Sequence, residues 1–284
     1  GLSGEEELVG QGISYCAAAR IPMVYTNISR GGPGVGSIQP AQMDYFQATK
    51  ASGNGGFQMM VFAPSTVQEA VDMTYKAFDY ADRDRNPVLI LADGVIGTMM
   101  EPVVLPEMKS DEEVAAIKAS KKDWACIGHK LDYANRSWIQ PGQWSTARMQ
   151  EVNEEAAALY ESWKKDVQVE EYQVADAEIV LTAYGISARI CKSAVDLLRA
   201  EGIKAGLIRP ITVHPFPYEA YDHIDYTKCK AVLDVEMSIP AQFVADVAVG
   251  VKDRCPIETC LCSGGNIMSR DNVITAVKKI MEGK

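Results

Sequence analysis

Positive charge is in short supply: 28 Lys and Arg stand against 38 Asp and Glu in 284 residues, a formal net charge of -10. Such a surface repels polyphosphate, which argues against nucleic-acid or anionic-membrane partners. Long hydrophobic runs are missing too, and none approaches the ~20 apolar residues that span a bilayer. Residues 1–7 lack the basic and apolar regions of a signal peptide, so the expected location is cytoplasmic. Histidine is scarce, and His129, His214 and His223 lie too far apart for a zinc pattern. The seven cysteines are odd in number and scattered, without the four-cysteine rhythm of a ferredoxin, which implies reduced thiols and no cluster site. No G-x-S-x-G elbow supports a serine hydrolase.

What is present suits a folded chain of two domains: 47% hydrophobic residues supply a core, and the length exceeds one ordinary small domain. Residues 57–63 read as a strand closed by Pro64. Ser65 with Gln68 reads as a capping box opening a one-sided helix to about residue 82, with Ala70, Ala77 and Ala81 at helical spacing. After the Asn86-Pro87 turn, 88–92 is a continuous apolar strand, as in a parallel sheet covered on both faces. Residues 21–27 supply another strand. From Glu101 to about Asp176 charged residues dominate and no strand pattern shows; 151–165 reads as a solvated helix with a narrow apolar stripe ending at Trp163.

From Ala177 the alternation resumes. Strands are expected at 179–184, 204–208, 231–235 and 257–262, with helices at 187–200, 241–249 and 271–281 and Gly202 as a stop. Two βα-alternating units joined by a charged segment imply two open α/β domains. In strand 257–262 alternation puts Cys260 and Cys262 on one face, where packing is their expected role. Arg209 and the prolines at 210, 215 and 217 make a stiff loop suited to a lasting contact between the two units.

Directly after the first strand comes Ser29-Arg30-Gly31-Gly32-Pro33-Gly34-Val35-Gly36-Ser37-Ile38-Gln39-Pro40. Loops beyond the carboxyl ends of parallel strands are where α/β folds hold ligands. Glycine lets the backbone approach a ligand closely, and an arginine fork can grip a carboxylate with two parallel hydrogen bonds. A tight turn with a solvated arginine accounts for the same residues, and spacing leaves the two readings even. Ser37 occupies the third glycine position of G-x-G-x-x-G, and no P-loop lysine follows, which demotes dinucleotide and P-loop sites. A second glycine element, Ser263-Gly264-Gly265-Asn266, reads as a strand-to-helix turn.

The run from Arg30 to Lys50, together with Ala63-Pro-Ser-Thr-Val-Gln-Glu-Ala70, Ile90-Leu-Ala-Asp-Gly94 and Met99-Met-Glu-Pro102, resembles the alpha subunit of 2-oxoacid:ferredoxin oxidoreductases, nearest the 2-oxoisovalerate (branched-chain) type. Glu170-Glu-Tyr-Gln173 and Gly206-Leu-Ile-Arg-Pro-Ile-Thr212, followed by Pro215-Phe-Pro217, continue the likeness across nearly the whole chain. The resemblance implies residues 1–105 as the later part of a thiamine-diphosphate pyrimidine-binding domain, an open parallel sheet. It implies 106–175 as a charged, partly helical connection and 176–284 as a transketolase C-terminal-like α/β domain. The family's early part carries a cofactor-contacting glutamate and a Tyr-Pro-Ile-Thr-Pro segment. Neither has a counterpart in this chain, so no catalytic residue is assigned.

By the same resemblance Arg30 holds the 2-oxoacid carboxylate, and Gly31, Gly32 and Gly34 leave room for the cofactor. The implied reaction is oxidative decarboxylation of a 2-oxoacid to acyl-CoA with reduction of ferredoxin. Thiamine diphosphate is shared with a partner subunit. The beta and other subunits bring magnesium and the iron–sulfur clusters. Two alternatives stay open: the beta subunit of a lipoyl-linked dehydrogenase, against which Pro40 stands where that family carries histidine, and a non-catalytic assembly subunit.

Overall fold

The computed structural model describes residues 3–50, 52–126, 139–143 and 145–283. Two sheets organise them. In the first, β1 (Met23–Ser29) and β2 (Met60–Phe62) flank β3 (Pro87–Asp93), all parallel. Every residue of β3 is buried, which is why its sequence is an unbroken apolar run up to Asp93. The fourth strand of this sheet is β7 (Thr212–His214), which pairs antiparallel with β2 although it arrives some 150 residues later, Val61 facing His214. The stiff 209–217 loop thus does more than touch the first unit; it contributes a strand to it.

The second sheet has the order β4 (Val169–Tyr172), β6 (Ala205–Pro210), β5 (Ile179–Thr182), β8 (Ala231–Glu236), β9 (Ile257–Leu261). All pairs are parallel except β4 with β6. No strand was expected between Glu101 and about Asp176. β4 forms nonetheless because its four residues, two of them glutamates, need only one neighbour at a sheet edge, a setting too short and too charged to leave a hydrophobic pattern.

Helices cover both sheets. α1 (Ser3–Ala18) leads into β1, and α2 (Tyr45–Thr49) follows the glycine loop. α3 (Val67–Asp84) lays Ala77 and Ala81 on Met60, Phe62, Val88 and Ile90. Its cap lies one residue later than expected: the Thr66 hydroxyl accepts from Glu69 N–H at 3.1 Å, and Glu69 turns back onto Ser65 N–H at 2.8 Å. α4 (Gly94–Thr98) is a single turn, and α5 (Asp111–Ser120) and α6 (Thr146–Ser162) lie in the charged middle. Trp163, expected on a solvated helix, is 1% exposed and donates its indole N–H to Asp84 at 2.9 Å. α7 (Gly185–Ala200) ends at Gly202, whose φ of +90° suits a residue without Cβ, and α8 (Val244–Val251) and α9 (Arg270–Met281) complete the second layer.

One apolar cluster runs through both units, joining Val61, Leu89 and Leu91 of the first sheet to Val180, Ile208 and Val232 of the second. Four aromatics knit its centre: Tyr45 meets Phe243 edge-on at 5.5 Å and Tyr184 at 5.5 Å, and Phe216 lies 5.8 Å from Phe243. Such pairs contribute about 0.5–1.5 kcal/mol each beyond their buried area. The two units are therefore halves of one packed body, with a seam where other α/β proteins have a surface.

Candidate functional site

The loop after β1 is closed on itself. Arg30 bridges to Pro40, Gly31 N–H donates to Gln39 C=O at 3.0 Å, and Ser37 N–H donates to Gly31 C=O at 2.7 Å. This fold-back demands glycine at one position above all: at Gly36, with φ of +49°, a Cβ would stand 1.9 Å from the Gly31 carbonyl oxygen. Gly31 is buried behind the loop, 3.6 Å (measured from where its Cβ would be) from the Gly264–Gly265 backbone. The second glycine element, read from sequence as a plain turn, is thus the floor on which the first rests. Gly32 and Gly34 have nothing within 4 Å on the Cβ side and line the cleft instead.

That cleft, of about 790 Å³, is walled by Tyr25 and Asn27 of β1, Arg30, Asp44, Gln47 of α2 and Gln242 from the second unit. Arg30 is half-buried in it. Its guanidinium donates to three carbonyls of its own loop: Nη1 to Val35 and to Ser37 at 3.1 Å, and Nη2 to Gly34 at 3.5 Å. Opposite stands Asp44, whose carboxyl is raised from its ordinary pKa by burial, with Ser29, Asn27 and the Arg30 charge pulling it back. The open faces of Gly32 and Gly34 leave a wall that a flat or phosphorylated group can approach without meeting a side chain. An arginine fork held by replaceable carbonyl contacts suits a carboxylate. Both features fit a 2-oxoacid and an organic cofactor; among the described residues no three His, Cys, Asp or Glu side chains gather as metal ligands.

Sequence reasoning missed the residues that hold this loop to the rest of the molecule. Gln42, 1% exposed, donates Nε2–H to Tyr184 C=O at 2.9 Å while its Oε1 accepts from Ser187 Oγ at 2.7 Å and Met237 N–H at 3.0 Å. Its backbone adds Gln42 N–H to Met237 C=O at 2.9 Å and takes the Tyr184 hydroxyl at 3.1 Å. Asp93, at the carboxyl end of β3, caps α4 through Val95 N–H and Ile96 N–H and also accepts Ile186 N–H at 2.9 Å, the first turn of α7. A polar residue ending an apolar strand before glycine was the available signal for Asp93. Gln42 carried none, because its partners lie more than 140 residues away.

The quoted motifs converge on the same seam. Arg209, 4% exposed, forks onto Glu69 and reaches Glu170 at 3.0 Å, joining α3, β6 and β4. Burial would raise both carboxyls, but the Arg209 fork together with Ser65 at Glu69 and Lys192 at Glu170 brings each below its usual range. Glu101 pairs with Arg189 of α7 at 2.7 Å. Cys260 and Cys262 pack as expected, the Cys260 sulfur 3.8 Å from Met268 Sδ. His214 is structural: its Nδ1 lies 2.8 Å from Met59 C=O and its ring stands edge-on to Trp163. His223 pairs with Glu171 at 2.8 Å, and His129 lies outside the described residues.

Residues 8–172 match the family described as pyruvate flavodoxin/ferredoxin oxidoreductase, thiamine diphosphate-binding, and 177–273 match pyruvate:ferredoxin oxidoreductase core domain II. A ketoisovalerate oxidoreductase subunit VorB from Methanothermobacter marburgensis is 40% identical over 276 residues, 95% of this chain and 74% of that relative. A 2-oxoglutarate synthase subunit KorA from Methanocaldococcus jannaschii is 29% identical over 252 residues, 82% of this chain and 67% of that one. Among solved structures, the 2-oxoglutarate:ferredoxin oxidoreductase of Magnetococcus marinus superimposes with a TM-score of 0.72 at 20% identity, covering 99% of this chain and 51% of its own, which speaks to the fold. With two matched segments that between them hold both sheets and the seam that Gln42, Asp93 and Arg209 close, the chain belongs to the 2-oxoacid:ferredoxin oxidoreductase family.

Proposed function

We propose that this chain is a thiamine-diphosphate-dependent subunit that oxidatively decarboxylates a branched-chain 2-oxoacid to its acyl-CoA, passing electrons to ferredoxin. The single observation that supports this most is Arg30: a guanidinium at the mouth of a glycine-walled cleft, bound among the described residues only by carbonyls that an anion can displace. The name of the VorB relative favours a branched-chain substrate over 2-oxoglutarate. Residues 1–105 serve as pyrimidine-domain framework, 106–175 as connection and 176–284 as the second domain. Beta and further subunits, magnesium, iron–sulfur clusters, coenzyme A and a cytoplasmic setting complete the proposal. Among the described residues no helix is long and apolar enough to cross a membrane.

In this reading Arg30 releases its loop carbonyls and grips the substrate carboxylate, fixing the 2-oxo carbon over the cleft. Gly32 and Gly34 keep the wall free of side chains on the cofactor side, with Gly31 behind them as support. Thiamine diphosphate, when bound, supplies the carbon nucleophile and the electron sink for decarboxylation. Asp44 lines the same cleft, and burial raises its carboxyl from the ordinary pKa against the pull of Ser29, Asn27 and the Arg30 charge.

The test is kinetic. In the complete complex, Arg30→Ala should lower kcat/KM for 2-oxoisovalerate by a factor equivalent to roughly 2–5 kcal/mol, because one partner of a charged, hydrogen-bonded pair is lost. Arg30→Lys keeps charge without the fork and should fall between. Thiamine diphosphate content should stay constant in both. Unchanged kinetics would remove the carboxylate role, and lost cofactor would make Arg30 a structural support.

A further inference from the structure

The loop 237–243 joins β8 to α8 at the carboxyl end of the second sheet, the end at which parallel α/β folds hold ligands. Its backbone is pinned from within. Glu236 accepts Gln242 N–H at 2.8 Å and Phe243 N–H at 3.1 Å, and the Ser238 hydroxyl donates to Pro240 C=O at 2.7 Å. Gln242 also ties the loop to the first unit: Nε2–H donates to Met43 C=O at 2.6 Å, and Oε1 accepts Phe46 N–H at 2.8 Å. Met237, Ser238 and Phe243 are buried, but Ile239 between them is 53% exposed. Ile239 and Pro240 line the cleft that holds Arg30, and half-buried Met43 lines it too. Apolar surface held on a fixed backbone beside a cavity gains free energy when an apolar part of a ligand covers it. Among the described residues lining this cleft, Arg30 is the one cation and Asp44 the one acid. The cleft can thus pair one carboxylate, and a second would enter beside Asp44 with no partner.

We propose that Ile239, Pro240 and Met43 receive the aliphatic side chain of the 2-oxoacid and so set the preference for branched-chain over dicarboxylic substrates. The inference rests on the carboxylate role given to Arg30 above. The two units divide the work: the glycine loop of the first supplies the charge, and the loop after β8 supplies most of the apolar surface. Gln242 keeps the two in register, since its amide spans the seam to both Met43 and Phe46. Discrimination then has two sources. A substrate with a shorter side chain leaves Ile239 uncovered, and each missing methylene in an apolar pocket is worth roughly 10–200-fold in kcat/KM. A dicarboxylate is rejected by what the wall lacks, a second cation.

The test measures kcat/KM of the complete complex with 2-oxoisovalerate, pyruvate and 2-oxoglutarate, alongside its native mass and thiamine diphosphate content. Ile239→Ala should lower the value for 2-oxoisovalerate roughly tenfold relative to pyruvate, whose methyl group needs less of the surface. Met43→Ala should move the same ratio in the same direction by less. Ile239→Lys places a cation on the apolar wall and should shift the ratio of 2-oxoglutarate to 2-oxoisovalerate at least about tenfold toward the dicarboxylate. Native mass and cofactor content should not change. Ratios that stay flat, or an equal fall for all three substrates, would overturn the proposal, and a smaller native mass would make Ile239 a subunit contact instead. Arg30→Ala separates this from the parent reading, because it should lower all three substrates alike. No effect there strikes both readings, whereas flat Ile239 ratios beside a damaged Arg30→Ala strike this one alone.

Discussion

Arg30 and Gln42 stand at the two ends of one loop excursion, and they are held in opposite ways. Gln42 is buried and spends every polar atom of its side chain on the second unit, through Tyr184, Ser187 and Met237. Arg30 is half-buried and spends its donors on carbonyls of its own loop, none of them from a strand or helix. Bonds of the first kind cannot be exchanged without opening a core; bonds of the second kind can be traded for a ligand at small cost. The same contrast separates Arg209, whose carboxylate partners come from α3 and β4, from Arg30, which has no ion pair within the loop. Position along the chain does not distinguish a binding arginine from a structural one. What does is whether its partners can be replaced.

The strongest way to break this comparison is at Arg209. Arg209→Met should destabilise the fold by about 3 kcal/mol, since it leaves Glu69 and Glu170 facing one another in a partly buried seam. Denaturant midpoints would check it, and a loss below about 0.5 kcal/mol, the range of ordinary surface changes, would reclassify Arg209 as replaceable. Gln42→Leu comes next, at about 2 kcal/mol, because Met237 N–H, the Ser187 hydroxyl and the Tyr184 carbonyl lose their partner where water has no access. Amide hydrogen exchange should show the loss concentrated in the first turn of α7 and the end of β8. A uniform increase across both sheets would contradict a local role for Gln42.

Acid sharpens the contrast more gently. Glu69 and Glu170 titrate below their ordinary 4.5 in the folded chain, so the stability they contribute is present above about 4.5 and is lost as pH falls through their lowered values. The unaltered protein should therefore lose stability more steeply with acidification than Arg209→Met does, in paired thermal melts from pH 6 downward. Parallel curves would mean that the seam carboxylates carry no such linkage. The smallest expected effect is on the folding of Arg30→Ala. Its midpoint should move by less than about 0.5 kcal/mol, because the loop carbonyls it frees face an open cleft. A larger shift would show that the loop depends on its arginine for shape.

Much of this was legible beforehand, and the reasons are physical. β3, α3 and α7 announce themselves because burial on one face or two imposes a period on the sequence. The seam did not, for a period reports only that a residue is covered and never by what. Glu69, Asp93, Glu101 and Arg209 lay inside motifs that sequence reading had already marked, yet their partners sit tens to more than a hundred residues away. Arg30 was found as a candidate because glycines surround it. That its donors are already engaged by Gly34, Val35 and Ser37 depends on the fold-back of the loop, which two left-handed glycines, Gly34 and Gly36, and two backbone bonds shape.

The late arrival of β7 has a consequence for how the molecule is made. A ribosome delivers residue 62 long before residue 212, so β2 waits with an unpaired edge while the whole middle of the chain is synthesised. Ala63 N–H has the same wait for Ile211 C=O, its acceptor at 2.8 Å. A nascent chain stopped at about residue 175 should expose a short, wholly apolar strand, Met60-Val61-Phe62, to other chains and to chaperones. Release of that exposure should coincide with emergence of the 209–217 loop, which makes this loop the final stitch of a sheet whose waiting strand was made some 150 residues earlier.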